Sequence, residues 1–187
     1  MVMAMSVLFA ASVSANKAPQ APKPVDASKS TVLWKGKKVL GAHDGNIKIK
    51  SGNLDFTGDK LTGGTFVIDM KTINCTDLSG DAKKNLEGHL MSDDFFGVEK
   101  FPDAKFTIKK VASRGTDGDF TITGDITIKG KTKEIKFPAK IGKNSAEAKL
   151  VLDRSEFDIR YGSGSFFDNL GDKTIYDEFE LDIKLMF

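Results

Sequence analysis

Residues that could form redox, metal or catalytic centres are scarce in this sequence. It has a single cysteine, Cys75, two histidines, His43 and His89, one tryptophan and two tyrosines. A lone thiol excludes an intramolecular disulfide, and the chain lacks the clustered His and Cys side chains from which zinc sites draw their ligands. Cys75 also lacks the local signature of a catalytic cysteine. We therefore expect no metal centre and no enzyme activity, and we expect Cys75 to be a small buried hydrophobic residue.

The sequence also lacks an excess of either charge. Its 28 Lys and Arg against 26 Asp and Glu give a net charge of +2, and the charges alternate along the chain instead of forming a basic block. Proteins that bind nucleic acid usually carry a concentrated basic patch. Nucleic acid is therefore not expected as a partner.

No run of apolar residues is long enough to cross a bilayer. Residues 2–13 are apolar or small, and a small-x-small pattern typical of signal-peptidase sites ends at Ala15. No Lys or Arg precedes Lys17, so the positive start of a signal peptide is missing and Met1 is not established as the true start. We interpret residues 1–15 as a signal peptide cleaved after Ala15, which predicts a periplasmic or secreted protein without a transmembrane segment in its mature form.

Two segments follow this predicted leader. Residues 16–26 contain three of the five prolines, a density typical of an extended linker. Residues 27–187 have the length of one domain, and the 40% hydrophobic and 29% charged residues of the chain are typical of a globular protein. We therefore predict one folded domain after a Pro-rich linker.

Alternation of apolar and polar residues dominates this predicted domain. Phe179, Leu181 and Ile183 alternate with charged residues in the last segment, residues 175–187, and similar patterns recur between short Gly-containing turns. Such alternation predicts β-strands with one buried face, and the short turns predict antiparallel neighbours. The sequence thus predicts an all-β fold, an eight-stranded antiparallel barrel closed by its first and last strands, with a bend or a locally unpaired edge at Pro138.

One long segment between the third and fourth predicted strands interrupts this pattern. Residues 77–86 contain good helix formers, with Ser79 or Asp81 available as the N-cap, and predict a short helix. Residues 88–102 then combine a Phe pair with several charged side chains, which predicts a lid with one apolar side. A second Phe pair in the Gly-rich segment 161–172 predicts a smaller second lid.

The interior of the predicted barrel could be either packed with side chains or hollow. An eight-stranded barrel is just wide enough to be filled by its own side chains or to hold one elongated ligand. The small residues Ala146 and Ala148 precede the larger Leu150 and Leu152 along one strand, which favours a void. We predict an apolar tunnel lined or covered by these residues: Trp34, Phe66, Ile68, Phe95, Phe96, Phe106, Ile108, Ile122, Leu150, Leu152, Phe166, Phe167, Phe179, Leu181 and Ile183.

Three polar side chains are candidates for contacting the head group of a ligand in that tunnel: His89, Arg154 and Arg160. A guanidinium group is a forked donor that stays charged, so it suits a phosphate, a carboxylate or a carbonyl oxygen. Two of these candidates also have a structural alternative. His89 would form a hydrogen bond within the lid, and Arg154 would be a latch that pairs with a carboxylate close in sequence: Asp153, Glu156 or Asp158.

Three segments carry a resemblance to a known family. Residues 89–102 follow the pattern H-L-x-S-x-D-F-F-x-V-E-K-x-P, residues 124–132 read G-D-I-T-I-K-G-K-T, and residues 153–155 read D-R-S before the last strand. These segments resemble the YceI-like family of lipocalin-like, polyisoprenoid-binding proteins. The resemblance, which extends over residues 25–187, implies a lipocalin-like barrel, export, and a long isoprenoid or acyl tail in the tunnel.

The apolar interior and the resemblance together lead to one functional prediction. We expect a non-enzymatic protein that carries or sequesters a long-tailed hydrophobic lipid, such as an isoprenoid quinone, a polyprenyl or a fatty-acyl amphiphile, and that requires no cofactor. One alternative is a packed structural or interaction barrel that presents its lid loops to a partner protein. Another is a hydrolase or isomerase that uses His89. The sequence leaves a homodimer open.

Overall fold

A computed structural model describes residues 20–187 of the chain. The predicted signal peptide, residues 1–15, lies outside the described residues, as do residues 16–19 of the predicted linker. Along the described chain the elements are β1 (Lys23–Pro24), β2 (Thr31–Lys38), β3 (Gly41–Thr57), β4 (Lys60–Cys75), α1 (Gly80–Met91), β5 (Asp103–Ser113), β6 (Asp119–Ile128), β7 (Lys131–Ile141), β8 (Ser145–Asp153), the 3-10 helices η1 (Arg154–Phe157) and η2 (Gly171–Lys173), and β9 (Ile175–Met186).

Within residues 20–187, eight antiparallel strands form a closed barrel. Their order is β3-β2-β9-β8-β7-β6-β5-β4, and β4 pairs again with β3. The first and last barrel strands pair from Thr31 with Lys184 to Lys38 with Ile175. The predicted eight-stranded barrel and its closure by those strands are therefore confirmed.

Side-chain alternation explains how each strand faces the interior. In β9, Leu181 and Ile183 pack into the core while the intervening charged residues point outward. Glycine allows the large rings to lie across neighbouring strands: a Cβ atom at position 124 would lie 2.6 Å from the ring of Phe106, and one at Gly45 would collide with Trp34. These two glycines let the rings turn flat against the wall.

The helix is longer than predicted and begins later. It extends over Gly80–Met91 instead of residues 77–86, and Ser79 occupies the N-cap position without a side-chain capping bond. Leu90 and Met91 pack against the core at one end of the barrel, and this tertiary contact extends the helix into the predicted lid. Ser92 caps the helix after Met91, because its N–H donates to the carbonyl oxygens of Gly88 and His89 in the last turn.

The described part of the predicted linker lies against the barrel. Lys23 pairs with Leu54 and Pro24 with Asn53, so residues 23–24 add a short strand beside β3. The Lys23 Nζ atom lies 4.6 Å from the centre of the Phe56 ring, at the end of the barrel that is remote from α1. This segment therefore covers that end.

Two clusters of buried residues divide the interior along the barrel axis. One cluster, remote from α1, contains Val32, Ile49, Leu54, Phe56, Leu61, Phe66, Ile122, Ala146 and Leu185. The other, next to α1, contains Met70, Ile73, Phe95, Val98, Ala104, Ile128, Leu152, Phe157 and Ile159. We call the two ends the far end and the lid end. Among residues 20–187, no helix is both long enough and apolar enough to cross a bilayer.

Candidate ligand-binding interior

The described barrel contains two apolar cavities that lie end to end. The far-end cavity has a volume of about 140 Å³ and the lid-end cavity about 150 Å³. Both are lined by Val32, Ile68, Ile126 and Leu181, so these four side chains form the boundary between them. Pairs of cavities joined at such a boundary can accept a linear chain more readily than a compact molecule.

The walls of both cavities are almost entirely hydrocarbon. The far-end cavity has one charged lining residue, Glu147, and the lid-end cavity has polar lining from Arg154, Tyr176 and Glu178. Burial of apolar surface is favourable at about 25 cal/mol per Å², so such walls favour an apolar ligand over water. Polar recognition is confined to the edges of this interior.

The lid segment folds into a compact plug over the lid-end cavity. The N–H groups of Phe96 and Val98 donate to the carbonyl oxygens of Leu90 and Met91, which turns the chain back onto α1. Phe95 is 7% exposed, and its ring centre lies 5.1 Å from that of Phe96. Both rings line the cavity. The predicted lid therefore covers one end of the barrel with aromatic side chains.

Of the fifteen residues that the sequence assigned to the tunnel, the structure brings twelve to the cavity walls. Leu152 is buried in the lid-end cluster but does not line either cavity. Phe166 and Phe167, expected at or over the mouth of the tunnel, are 39% and 51% exposed and line neither cavity. The twelve lining residues are Trp34, Phe66, Ile68, Phe95, Phe96, Phe106, Ile108, Ile122, Leu150, Phe179, Leu181 and Ile183.

The second Phe pair faces outward because the loop is held by its polar side. The buried hydroxyl of Ser163 donates to Asp177 at 2.8 Å, and the Ser165 hydroxyl donates to the same oxygen at 2.6 Å. These bonds fix the serines against β9. The neighbouring Phe ring at position 166 instead packs outside under Arg160, whose guanidinium carbon lies 4.8 Å from the ring centre.

Several lining residues were missed by the sequence assignment. Val32 and Ile126 line both cavities, Ile135 and Phe137 line the far-end cavity, and Met70 lines the lid-end cavity. Each belongs to the same apolar alternation as the predicted lining residues. The alternation identifies the inward face of a strand but not the depth at which a void begins.

Arg154 is a structural latch in this arrangement. It is 2% exposed, and its guanidinium donates to four backbone carbonyl oxygens on the loop after η1 and on β9. Its Nη2 atom also lies 3.1 Å from Asp177 Oδ1, an ion pair without hydrogen-bond geometry. Burial lowers the pKa of Arg154, and the charge of Asp177 acts in the opposite direction. The latch alternative is therefore favoured, with Asp177 in place of the three carboxylates expected from sequence.

The other two head-group candidates, His89 and Arg160, line neither cavity, whereas Arg154 lies at the edge of the lid-end cavity. Arg160 is exposed, and its Nε atom lies 2.6 Å from Asp158. The ring of His89 packs edge-on against Phe95 and Tyr161, with centres 5.7 and 4.3 Å apart. Its Nε2 atom is buried and has no hydrogen-bond partner among the described residues. The expected hydrogen bond of His89 within the lid is thus not made by this atom.

Cys75 helps to hold the segment between β4 and α1 against β3 instead of forming a reactive site. The thiol is fully buried and donates to Asp77 Oδ1 at 3.0 Å, while Asp77 Oδ2 lies 2.8 Å from His43 Nδ1. Burial raises the pKa of the thiol, which keeps it protonated. This placement confirms the expectation of a buried cysteine. In the part of the chain that the structure describes, no three His, Cys, Asp or Glu residues are grouped to hold a metal ion.

Comparison of the sequence with known proteins gives a consistent set of relatives. A family model for the YceI-like domain matches residues 24–187. A UPF0312 protein of Shewanella denitrificans is 39% identical over 88 residues, which are 47% of this chain and 44% of the relative. Protein YceI of Escherichia coli is 38% identical over 87 residues, 42% of this chain and 44% of the relative. The matches span less than half the length of these curated relatives.

Solved structures share the fold at low sequence identity. BcnA of Burkholderia cenocepacia superposes with a TM-score of 0.70 at 24% identity, covering 86% of this chain and 98% of the other. A structure described as a polyisoprenoid binding domain from Saccharophagus degradans superposes with a TM-score of 0.58 at 13% identity, covering 87% and 95%. At these identities the likeness establishes the barrel fold.

Proposed function

Because this chain belongs to the YceI-like domain family, we propose that it binds a long-tailed hydrophobic lipid inside the barrel and carries or sequesters it without chemical change. The observation that carries this proposal is the pair of apolar cavities joined end to end. The description of the Saccharophagus degradans structure as a polyisoprenoid binding domain supports the same ligand class.

The size and chemistry of the interior favour a linear tail. Each cavity is about half of the roughly 300 Å³ at which ordinary small-molecule pockets begin. A ligand of useful affinity must therefore extend through both cavities, past the boundary residues. Burying ten methylene-sized groups would contribute about 8 kcal/mol before the costs of ordering. An isoprenoid quinone, a polyprenyl or a fatty-acyl amphiphile has such a tail.

Two measurements test this proposal: native mass spectrometry with solvent extraction, which detects bound lipid, and a titration that measures lipid uptake. The purified protein is extracted with organic solvent and the extract is analysed for lipid. The extracted protein is then titrated with retinol, an uncharged isoprenoid alcohol that quenches tryptophan emission by energy transfer. Trp34, the single tryptophan, lines the lid-end cavity and is the donor. A protein that releases no lipid and takes up no retinol would refute the proposal.

The alternatives predict different behaviour. A partner-binding role is favoured by the exposed rings of Phe166 and Phe167, but a packed interaction barrel would not contain two apolar cavities. A hydrolase or isomerase would need a polar reaction centre at His89, whose ring contacts are aromatic. If the protein is a carrier, a His89→Ala variant should still retain lipid. Any product formed should be the same for this variant as for the unmodified protein.

Export is the second part of the proposed function. We propose that residues 1–15 are removed after Ala15 and that the protein acts in the periplasm or outside the cell. The intact mass of the protein recovered from that fraction tests this. The proposal requires Asn16 as the first residue, and a chain that retains residues 1–15 in that fraction would contradict it.

A further inference from the structure

The wall of the barrel is not closed evenly. Strands β7 and β8 pair at three positions, from Ala139 with Ala148 to Ile141 with Ala146. The two neighbouring ladders of the described barrel are much longer, with ten pairs between β6 and β7 and nine between β8 and β9. Residues 131–138 of β7 and residues 149–153 of β8 therefore border a gap in the wall.

Pro138 lies where this ladder ends, and its position explains the gap. N–H groups along a strand point alternately to its two neighbours. Ile141 donates to Gly118 on the β6 side, whereas Gly142 donates to Ser145 on the β8 side. The N–H at position 138 would face β8 as well, but proline has none. The predicted unpaired edge at Pro138 is therefore confirmed, and it occurs on the side of β8.

Side chains at the gap are more exposed than their neighbours. Strand β7 contains no buried residue, and its inward-facing Ile135 and Phe137 are half-buried. On the next strand Ile122, which pairs with Phe137, is 3% exposed. Solvent therefore reaches the inner face of the wall at the gap.

A groove on the outside of the barrel meets the far-end cavity at this gap. It has a volume of about 620 Å³ and is bordered by residues 136–138 and 149–151. Phe137, Leu150 and Leu181 line both this outer groove and the far-end cavity. These three shared residues connect the interior with the outside through the wall.

Both ends of the barrel are covered, in contrast. At the lid end Val98 is 3% exposed and Phe157 is fully buried. At the far end Lys23 lies over the rings of Phe56 and Phe187, at 4.6 and 5.5 Å from their centres. Movement of a ligand through either end would require these packed segments to unfold locally.

The outer groove has balanced charge. It is lined by three lysines, Lys35, Lys136 and Lys149, and by three carboxylates, Asp44, Glu180 and Asp182. A charged head group would meet partners of both signs, whereas a hydroxyl can accept from a lysine or donate to a carboxylate, and a carbonyl oxygen can accept from a lysine. Balanced charge therefore favours an uncharged polar head.

We propose that the lipid enters and leaves the barrel sideways, through the gap between β7 and β8, and that its uncharged polar head stays in the outer groove. This inference rests on the proposed function. The tail then lies in the two cavities, and the latch at Arg154 has no part in recognition of the head.

The experiment links the two edges of the gap and measures retinol uptake. Lys136 and Val151 border the outer groove from opposite sides of the gap, and a Lys136→Cys/Val151→Cys variant is joined with a short bismaleimide. The native thiol is fully buried and does not compete. The control is Lys105→Cys/Thr127→Cys, which joins positions already paired between β5 and β6 that line neither the outer groove nor either cavity. Stopped-flow quenching of Trp34 follows uptake.

We expect linking across the gap to slow uptake and release of retinol by about tenfold or more, because the portal must open for transfer. Linking the control pair should leave both rates unchanged. A Pro138→Val variant, which restores the missing N–H, should also slow uptake. Unchanged rates in the linked variant would overturn the portal, whatever the Pro138→Val variant shows.

The same system separates failure of the inference from failure of the proposed function. If the unlinked protein takes up no retinol and extracts contain no lipid, the proposed function is wrong and the portal is wrong with it. If binding is normal but linking has no effect, the portal alone is wrong.

Retinoic acid, which has the same tail with a carboxylate head, should bind about tenfold more weakly than retinol. Tighter binding of retinoic acid would overturn the assignment of an uncharged head.

Discussion

The guanidinium carbon of Arg154 lies 5.4 Å from the centre of the Phe95 ring. This contact joins the latch residue, which begins η1 and donates to β9, to the lid that covers the lid-end cavity. Arg154 is held by backbone carbonyl oxygens, and Phe95 packs between that latch and the neighbouring Phe96. The lid thus lies on a rigid polar support, which is consistent with entry of the ligand elsewhere in the wall.

Replacement of Arg154 by methionine should destabilise the protein strongly. The change keeps most of the aliphatic part of the side chain but leaves four carbonyl oxygens and the Oδ1 atom of Asp177 without their partner. Loss of one partner from a buried ion pair costs about 3–5 kcal/mol. Urea denaturation measures this change in the free energy of unfolding.

Arg160→Met is the matched control for that variant. Arg160 is exposed and pairs with Asp158 at the surface, so we expect a change within about 0.5 kcal/mol. If Arg154→Met kept its stability and lost only affinity for retinol, the latch would be rejected in favour of a head-group contact.

Filling the cavities should stabilise the protein while it reduces lipid binding. Ala104 lines the lid-end cavity and Ala146 the far-end cavity. Ala104→Leu and Ala146→Leu each place additional carbon atoms in empty space, which typically raises the free energy of unfolding by about 0.5–2 kcal/mol. Denaturation midpoints and retinol titration measure the two effects.

The control for cavity filling is Ala42→Leu, at an exposed position of β3. We expect no change in retinol binding for this variant. A packed interaction barrel would respond differently, since extra methylene groups in a filled core cost about 1–3 kcal/mol. Destabilisation by both interior substitutions would therefore favour the packed alternative over the carrier.

Local patterns in the sequence were enough to predict the barrel and most of its inner face. Alternation around Phe179 and Leu181 identifies both the strand and its inward face, because a half-buried strand requires alternating apolar and polar residues. The length of α1 was not accessible in this way, since the packing of Leu90 on the barrel decides where the helix ends. The same holds for Phe166, whose outward direction depends on the bond between Ser163 and Asp177, fourteen residues apart.

The roles of the head-group candidates could not be decided from the sequence for a related reason. An arginine near a Gly-rich loop is compatible with ligand binding or with a structural role, and the sequence does not show how many carbonyl oxygens surround it. Arg154 has four. The gap beside Pro138 was anticipated as an unpaired edge, but its relation to the far-end cavity required the strand register.

Acidification should remove the stabilising contribution of Asp77. Burial raises the pKa of this carboxyl group, whereas hydrogen bonds from Cys75, His43 and the Asp44 backbone lower it. The hydrogen bonds outweigh burial, so the pKa falls from 3.8 to about 2. A lowered pKa stabilises the fold above pH 3.8, and the contribution is lost as the pH falls toward 2. The loss in stability caused by Asp77→Asn should therefore be larger at pH 5 than at pH 2.

Urea denaturation at the two pH values measures that difference. Asp81→Asn is the control, because the Asp81 side chain is 94% exposed in the same region of the chain. We expect it to differ little from the unmodified protein at either pH. A loss for Asp77→Asn that is equal at both pH values would show that the carboxylate does not stabilise the fold by its charge.

The two Phe pairs should respond in opposite ways to truncation. Phe95 is buried at the lid-end cavity, so Phe95→Ala should lower the free energy of unfolding by about 3–5 kcal/mol and weaken retinol binding. Phe167 is 51% exposed and lines neither cavity, so Phe167→Ala should change stability by less than about 0.5 kcal/mol and leave binding unchanged. Urea denaturation and Trp34 quenching compare the two variants. Weaker retinol binding by Phe167→Ala at unchanged stability would place the second loop at the ligand after all.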